Sequence, residues 1–551
     1  MHLPLPTLTV LSLLLWQFPQ PTWALPPEGE EWIRLDTPHF TFFSNADEEV
    51  VRQVGGEMET LRTALSRWMG GLEVRSALPT WVYLFKDEES FRPYKAGVHG
   101  DRANIAGFFL PHPHGNYVAV NAGSRSSPTQ VIYHEYLHSF VSDNFPGVPL
   151  WFNEGIAELY STFRVDGEEA RIGEAKLQHL RWLKLHGLPF LGELFEVDHQ
   201  SPGYNESSRR GDFYSASWAL VHYLMVGSPE RGAQLIEFLS SVGTEEDLER
   251  AFSESFDATF EELAEELSDY LLRPKLPVLG VRVGPLAANS LGRPTTMEPS
   301  EIYFRLGDLL VHAAPRAADE SADHFNMALR LAPDHGGAYG GLGQLKDLQG
   351  SYGEAQGFFE KGLELAPENF LLHYLLGRSL LLPLSQRGIE SASRDEDFLP
   401  RLEVALAALR RSLELQPGFP EAWVALGAAW TFHPEPQEEA LTVLIQARQR
   451  LPQRMDVAFN LAILQARLGR RAQARRTIET VLVPGASPEA VQSAREAVLR
   501  ADLKFADQLL KQGKQEEGIA LVERVTESTQ DSVLAQRLLE TLEELRGKSD
   551  S

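Results

Sequence analysis

The second half of this 551-residue chain repeats itself, and the repeat narrows the possible architectures more than any other feature. Four similar phrases carry a proline: ALRLAPDH with Pro333, GLELAPEN with Pro367, SLELQPGF with Pro417 and QARQRLPQ with Pro452. These prolines are 34, 50 and 35 residues apart, and the 50 is one period plus a 16-residue insertion around Leu382–Pro400. Gly343, Gly377 and Gly427 recur with them, so paired helices can approach closely, and each proline ends the second helix of its pair. Unrelated amphipathic helices would not keep a 34-residue period. A unit of that length cannot bury its apolar face alone, so the units must stack into an all-α solenoid.

Individual positions agree between copies. Tyr339, Leu342, Gly343, Ala355, Phe359 and Pro367 mark one unit, and Trp423, Leu426, Gly427, Ala440, Ala447 and Pro452 mark another. In these positions the region resembles a tetratricopeptide array of about five units, from Tyr303 to Val483. A further helical stretch to Leu545 is read as a degenerate unit or a cap. The resemblance implies a concave groove for a peptide or protein partner, which nothing in the sequence identifies.

Three segments precede the array. In residues 1–24, an apolar run Leu8–Trp16 and a small-residue site ending at Ala24 predict a signal peptide, hence export to the periplasm or beyond. The run falls well short of the ~20 residues needed to span a bilayer, and no later stretch is long and apolar enough, so no stable membrane span is expected. Residues 25–277 are rich in aromatics and mix strand and helix patterns. Residues 278–300 carry Pro285, Pro294 and Pro299 among glycines and read as a linker or a wrapping segment, leaving 301–551 as the repeat domain.

Composition removes several chemistries. The chain has no cysteine, so disulfides, thiolate metal sites and a cysteine nucleophile are excluded, and any metal must be held by His, Asp or Glu. Seventy-seven acidic against 51 basic side chains give a net charge of −26, which disfavours nucleic acid as a partner.

The chemistry-bearing phrases lie between residues 131 and 160. In VIYHEYLHSF, His134 and His138 are four apart, so on a helix they project from one face and can grip one ion. Glu135 beside them can take a proton from an attacking water. After a turn at Asn144–Pro149 comes WFNEGIAELY, where Glu154 offers a third ligand; two His and one Glu form a zinc set that leaves a position open. Glu158 follows one turn later on the same face. It is either a solvated carboxylate or an acceptor for the outer nitrogen of a ligand histidine.

HEYLH followed by WFNEGIAE resembles the gluzincin metallopeptidases, thermolysin-like and aminopeptidase-like, and more narrowly exported proteins that join a peptidase-MA-like domain to tetratricopeptide repeats. The resemblance implies an α+β zincin-like catalytic domain, with a small mixed sheet and active-site helices, ahead of the solenoid. It implies His134, His138 and Glu154 as Zn2+ ligands, Glu135 as catalytic base and Glu158 as orienting carboxylate. The exopeptidase glutamate motif of the large aminopeptidases is not evident, so N-terminal trimming is not implied. Thr80–Phe85 and Tyr117–Asn121 read as strands. By the same likeness Tyr117–Asn121 would be the sheet edge to which an extended substrate adds. His112 and His114 fall in a proline-bounded loop expected at the surface. Gly211–Leu224 reads as an amphipathic helix, with Tyr214 the candidate oxyanion donor and His222 or Tyr223 next; core packing is the competing role for all three.

The expected function is hydrolysis of a peptide or protein substrate by a zinc metallopeptidase whose repeat domain binds a protein or peptide. The alternatives are an interaction scaffold with an inactive domain and a zinc hydrolase for non-peptide amides or esters.

Overall fold

The computed structural model describes residues 25–541 except 69–77, 96–104, 124–127, 146–147, 199–200, 202–206, 242–247, 285–290, 315–316, 388–395, 435–437, 452–453, 484–485 and 530–535. The expected signal peptide therefore lies outside the described residues.

In chain order the first half comprises β1 (Ile33–Asp36), β2 (Phe40–Ser44), α1 (Glu48–Trp68), β3 (Thr80–Phe85), α2 (Glu88–Lys95), β4 (Gly107–His112), β5 (Gly115–Asn121), α3 (Pro128–Asn144) and α4 (Leu150–Tyr160). It continues with β6 (Arg164–Asp166), β7 (Glu169–Ile172), α5 (Leu177–His186), α6 (Leu191–Glu196), α7 (Ser207–His222), α8 (Pro229–Ser241), α9 (Leu248–Phe256) and α10 (Phe260–Leu271). Then come β8 (Leu279–Arg282) and β9 (Thr295–Thr296).

The main sheet has the order β4-β5-β3-β2-β1-β9. Strands β2, β3 and β5 are parallel, whereas β4 pairs antiparallel with β5 through a tight turn that sets His112 opposite Gly115. Every residue of β5 is buried, as its unbroken YVAV run requires of a strand covered on both faces. This corrects the edge assignment. β5 lies between β3 and β4, and among the described residues β4 has one strand neighbour and is the edge.

Val51, Val54, Met58, Leu61 and Leu65 recur on one face of α1 at helical spacing. They join Phe42, Val82, Leu84, Val118 and Val120 and the inner faces of α3, α4 and α7 in the largest core. α7 departs from an amphipathic reading: Ser215–Leu224 are all buried, so it is a core helix surrounded on every side.

The second half is a run of antiparallel helix pairs: α11 (Pro299–Ala313) with α12 (Ala318–Leu331), α13 (Gly336–Leu348) with α14 (Tyr352–Leu365), and α15 (Phe370–Arg387) with α16 (Phe398–Leu415). Next come α17 (Pro420–Phe432) with α18 (Glu438–Arg450), α19 (Met455–Arg467) with α20 (Arg471–Thr477, prolonged by a wider turn to Leu482), and α21 (Pro488–Lys511) with α22 (Gln515–Ser528). Part of the insertion lengthens the helices: α15 and α16 have 18 residues each, where α13 and α14 have 13 and 14. Among the described residues no helix is long and apolar enough to cross a membrane.

The halves share a core. Residues 278–300 hold β8, which pairs with β7 in a second, three-stranded sheet β6-β7-β8, and β9, which pairs with β1 of the main sheet, so the segment adds a strand to each sheet. Immediately afterwards α11 lays Ile302, Leu306, Leu309, Leu310 and Ala313 on the sheet face formed by Trp32, Phe43, Tyr83 and Tyr117. The sheet is thus the middle layer of three, and its second face is covered by α2 and the first repeat helix.

Candidate metal centre and repeat surface

Helix α3 opens at Pro128, whose missing N–H costs nothing in a first turn. It is fixed to α1 by polar contacts: the Tyr133 hydroxyl donates to Glu57 at 2.6 Å, and Arg62 donates to the Tyr136 hydroxyl at 2.5 Å. His134 and His138 project from the same face, their rings 4.8 Å apart and nearly perpendicular. Pro149 starts α4, which returns against α3 and carries Glu154. Gly155 has a packing reason: a Cβ there would lie 2.4 Å from the Ser217 carbonyl oxygen of α7, so only glycine permits this helix crossing.

Three donor atoms converge. His134 Nε2 lies 3.1 Å from His138 Nε2, and these nitrogens are 3.6 and 3.4 Å from Glu154 Oε2. Both outer nitrogens face acceptors: His138 Nδ1 meets Asn153 Oδ1 at 3.1 Å, and His134 Nδ1 meets Glu158 Oε1 at 3.3 Å. With Nδ1–H donating on each ring, both Nε2 lone pairs point at the same spot as a carboxylate oxygen. That arrangement is repulsive unless a cation sits between them. The donor set therefore fits a divalent metal, and His134, His138 and Glu154 meet the spacing for one ion. The same electrostatics show in the proton affinities. Burial pushes the His138 imidazole down, but Glu154 and Asn153 outweigh it and lift the group to about 9. Burial likewise opposes the Glu154 charge, yet the two histidines bring it to about 2.

Glu158 is buried, not solvated. Besides His134 it holds His179 Nε2 at 2.9 Å and the ammonium of Lys176, and these partners keep its carboxyl far below the ordinary range despite burial. His179 is braced in turn by Ser215 Oγ at 3.0 Å. Sequence reasoning missed Asn153, Lys176 and His179. Asn153 adjoins Glu154, but its role depends on the α3–α4 crossing; Lys176 and His179 have no spacing relation to the HEYLH phrase.

Glu135 is half-buried on α3, and its charge acts on His138. Tyr214 lies half-buried on α7 against the main core, edge-on to Phe213 at 5.7 Å. Its runners-up are committed to packing. His222 is clamped between the Gly173 carbonyl at 2.8 Å and the Tyr270 hydroxyl at 2.7 Å, and the Tyr223 hydroxyl donates to Glu266.

The proline-bounded loop is exposed at Pro111 and Pro113, but His112 is half-buried and His114 is buried. His112 ends β4, His114 is 3% exposed in the β4–β5 turn, and both rings pack against His312 of α11. The sheet's second face is covered by a repeat helix, which the local sequence of the loop could not reveal.

No family model matches the chain. The mouse protein O-mannosyl-transferase TMTC1 is 31% identical over 97 residues, which are 18% of this chain and 10% of that protein, so the chain spans about a tenth of its relative's length. Among solved structures, YrrB, a TPR protein with an unusual peptide-binding site, aligns at 23% identity and TM-score 0.30, covering 35% of this chain and 90% of its own. Pseudomonas aeruginosa pilF aligns at 14% identity and TM-score 0.29, covering 44% and 97%. The second half is a tetratricopeptide-type solenoid. That statement rests on its own helix pairs and 34-residue period, with small residues at the helix contacts: a Cβ on Gly343 would meet Phe359 at 2.6 Å, and one on Gly377 would meet Leu409 at 2.6 Å.

Proposed function

We propose that this protein is an exported zinc-dependent metallopeptidase of gluzincin type, with a zincin-like catalytic half and a solenoid that holds a protein or peptide partner. The observation that carries the reading is the convergence of His134 Nε2, His138 Nε2 and Glu154 Oε2 on one point, with both outer histidine nitrogens anchored.

Zinc at this point would supply a Lewis acid for the scissile carbonyl and an acidified water. The chain's own residues do the rest. Glu135 accepts the proton of the attacking water and delivers it to the leaving amine. Glu158 and Asn153 fix the tautomers of the two histidines so that each offers Nε2. The open edge of β4, beside α3, offers backbone groups to an extended peptide. Tyr214, on the helix packed against α4, is the candidate donor to the oxyanion. Export belongs to the same proposal and rests on the Leu8–Trp16 run; the mature protein should begin just after Ala24.

Glu135→Gln tests the assignment in the full chain. It should retain zinc while chelator-sensitive cleavage of unfolded casein falls by about 10²–10⁴-fold, whereas His138→Ala should lose the metal. Full activity in the Gln variant would remove Glu135 from the mechanism. A second reading, an interaction scaffold, is favoured by the solenoid itself, a complete run of stacked helix pairs built onto the sheet. A wild-type chain that binds zinc yet cleaves no peptide library would select it.

A further inference from the structure

His112, His114 and His312 come from two elements far apart in sequence, the β4–β5 hairpin and α11. One ring nitrogen from each can be chosen so that all three lie within 4.8 Å of one another. The rings of His112 and His312 are 4.0 Å apart, and His114 stands 4.5 Å from His112 and 5.8 Å from His312. Tyr117 and Tyr374 wall the cluster.

Buried imidazoles ordinarily satisfy both nitrogens. Here His114 Nδ1 is buried without a hydrogen-bond partner, and His312 Nε2 has only a long contact of 3.5 Å with Asp308 Oδ1. His112 Nδ1 receives the His114 backbone N–H at 3.4 Å, which leaves its Nε2 to face elsewhere. The Asp308 carboxylate is itself buried and accepts the Tyr117 hydroxyl at 3.0 Å, so a negative charge stands beside the cluster on the His312 Nε2 side.

We propose that His112, His114 and His312 form a divalent-metal site, with the Asp308 carboxylate beside it, that pins the β4–β5 turn to the first repeat helix. It is distinct from the His134 centre and does not depend on that centre being catalytic. Three imidazoles suit zinc, or cobalt as its spectroscopic substitute. Tetrahedral bonds of 2.0–2.1 Å put ligand nitrogens roughly 3.3 Å apart, a closure that rotamer adjustment of half-buried His112 can supply. Burial favours the neutral, ligating form of two of the rings, holding His112 down at about 3 and His114 well below its ordinary value. An ion here would cross-link the sheet to the solenoid and so set the position of the repeats relative to the open edge of β4.

The test uses the full-length chain carrying His134→Ala and His138→Ala, so that the first centre contributes no signal. Metal-free protein is titrated with zinc alone and with cobalt alone. The expected results are one equivalent of either metal, tetrahedral cobalt absorption from nitrogen ligands, and a thermal midpoint that rises with zinc. Adding His112→Gln, at a half-buried position where the change disturbs packing least, should abolish all three; His312→Ala should do the same. Absence of a bound equivalent in the double variant, or an equivalent undisturbed by His112→Gln in a folded chain, overturns the proposal.

Discussion

Glu158 serves three partners with two oxygens: His134 on one, His179 and Lys176 on the other. Its substitution should therefore be felt at the metal without removing a ligand. Glu158→Gln is expected to weaken zinc binding about 10–100-fold, measured by competition with a chelator of known affinity; an unchanged affinity would reduce the residue to a packing role. A second residue sets an acid limit on stability. His324 is 1% exposed, its Nδ1–H donating to the Glu320 carbonyl at 2.8 Å and its Nε2 accepting from the Tyr94 hydroxyl at 3.2 Å. Burial lowers it from 6.5 to about 4. The unfolded chain therefore binds this proton first, so the stability it contributes is complete above pH 6.5 and is lost as pH falls towards 4, roughly 3 kcal/mol in all. His324→Gln should flatten that part of the pH profile in urea unfolding. Equal slopes in the two proteins would place the acid sensitivity elsewhere.

At the scale of elements, the α4–α7 crossing sets where Glu154 stands. Gly155→Ala would drive a Cβ to 2.4 Å from a backbone carbonyl and 2.5 Å from Val221, and backbone cannot swing aside as a side-chain tip can. Destabilisation of about 1–3 kcal/mol is expected, together with weaker zinc binding as Glu154 shifts. Gly357 is the control. It is exposed in α14, a Cβ there would meet nothing within 4 Å, and Gly357→Ala should stabilise by about 0.5–1 kcal/mol through helix propensity. Denaturant midpoints of the two variants, moving in opposite directions, would check both statements. HEYLH and WFNEGIAE were legible as helices because apolar residues flank the polar ones at helical spacing. Their antiparallel return was legible from the prolines at 146 and 149.

For the whole molecule, α11 matters more than a boundary near residue 300 suggests. A chain ending at Met297 would lose the helix that covers Phe43 and Tyr117 and so uncover the part of this apolar face that α2 does not reach. Such a chain should aggregate or bind a hydrophobic dye strongly, whereas one ending at Leu331, which keeps α11 and α12, should fare better. A folded, monomeric 25–297 fragment would refute the shared core. Within the intact chain, Leu306→Ala at this interface should cost about 2–5 kcal/mol, read by urea unfolding.

Local information sufficed for much of this protein. The 34-residue period dictates stacked helix pairs because each unit must bury its apolar face on a neighbour. The four-residue spacing of His134 and His138 puts both on one helical face without any knowledge of the rest. Tertiary structure decided what depends on distant segments meeting. It made β5 an inner strand and β4 the edge, and it carried Lys176 and His179 to Glu158. It also buried His114, in a turn expected in solvent, by laying His312 against it nearly 200 residues later in the chain. The physical reason is clearest for the last of these. Periodicity records which face of an element is buried, whereas the partner that covers that face is fixed only when the sheet acquires its second layer.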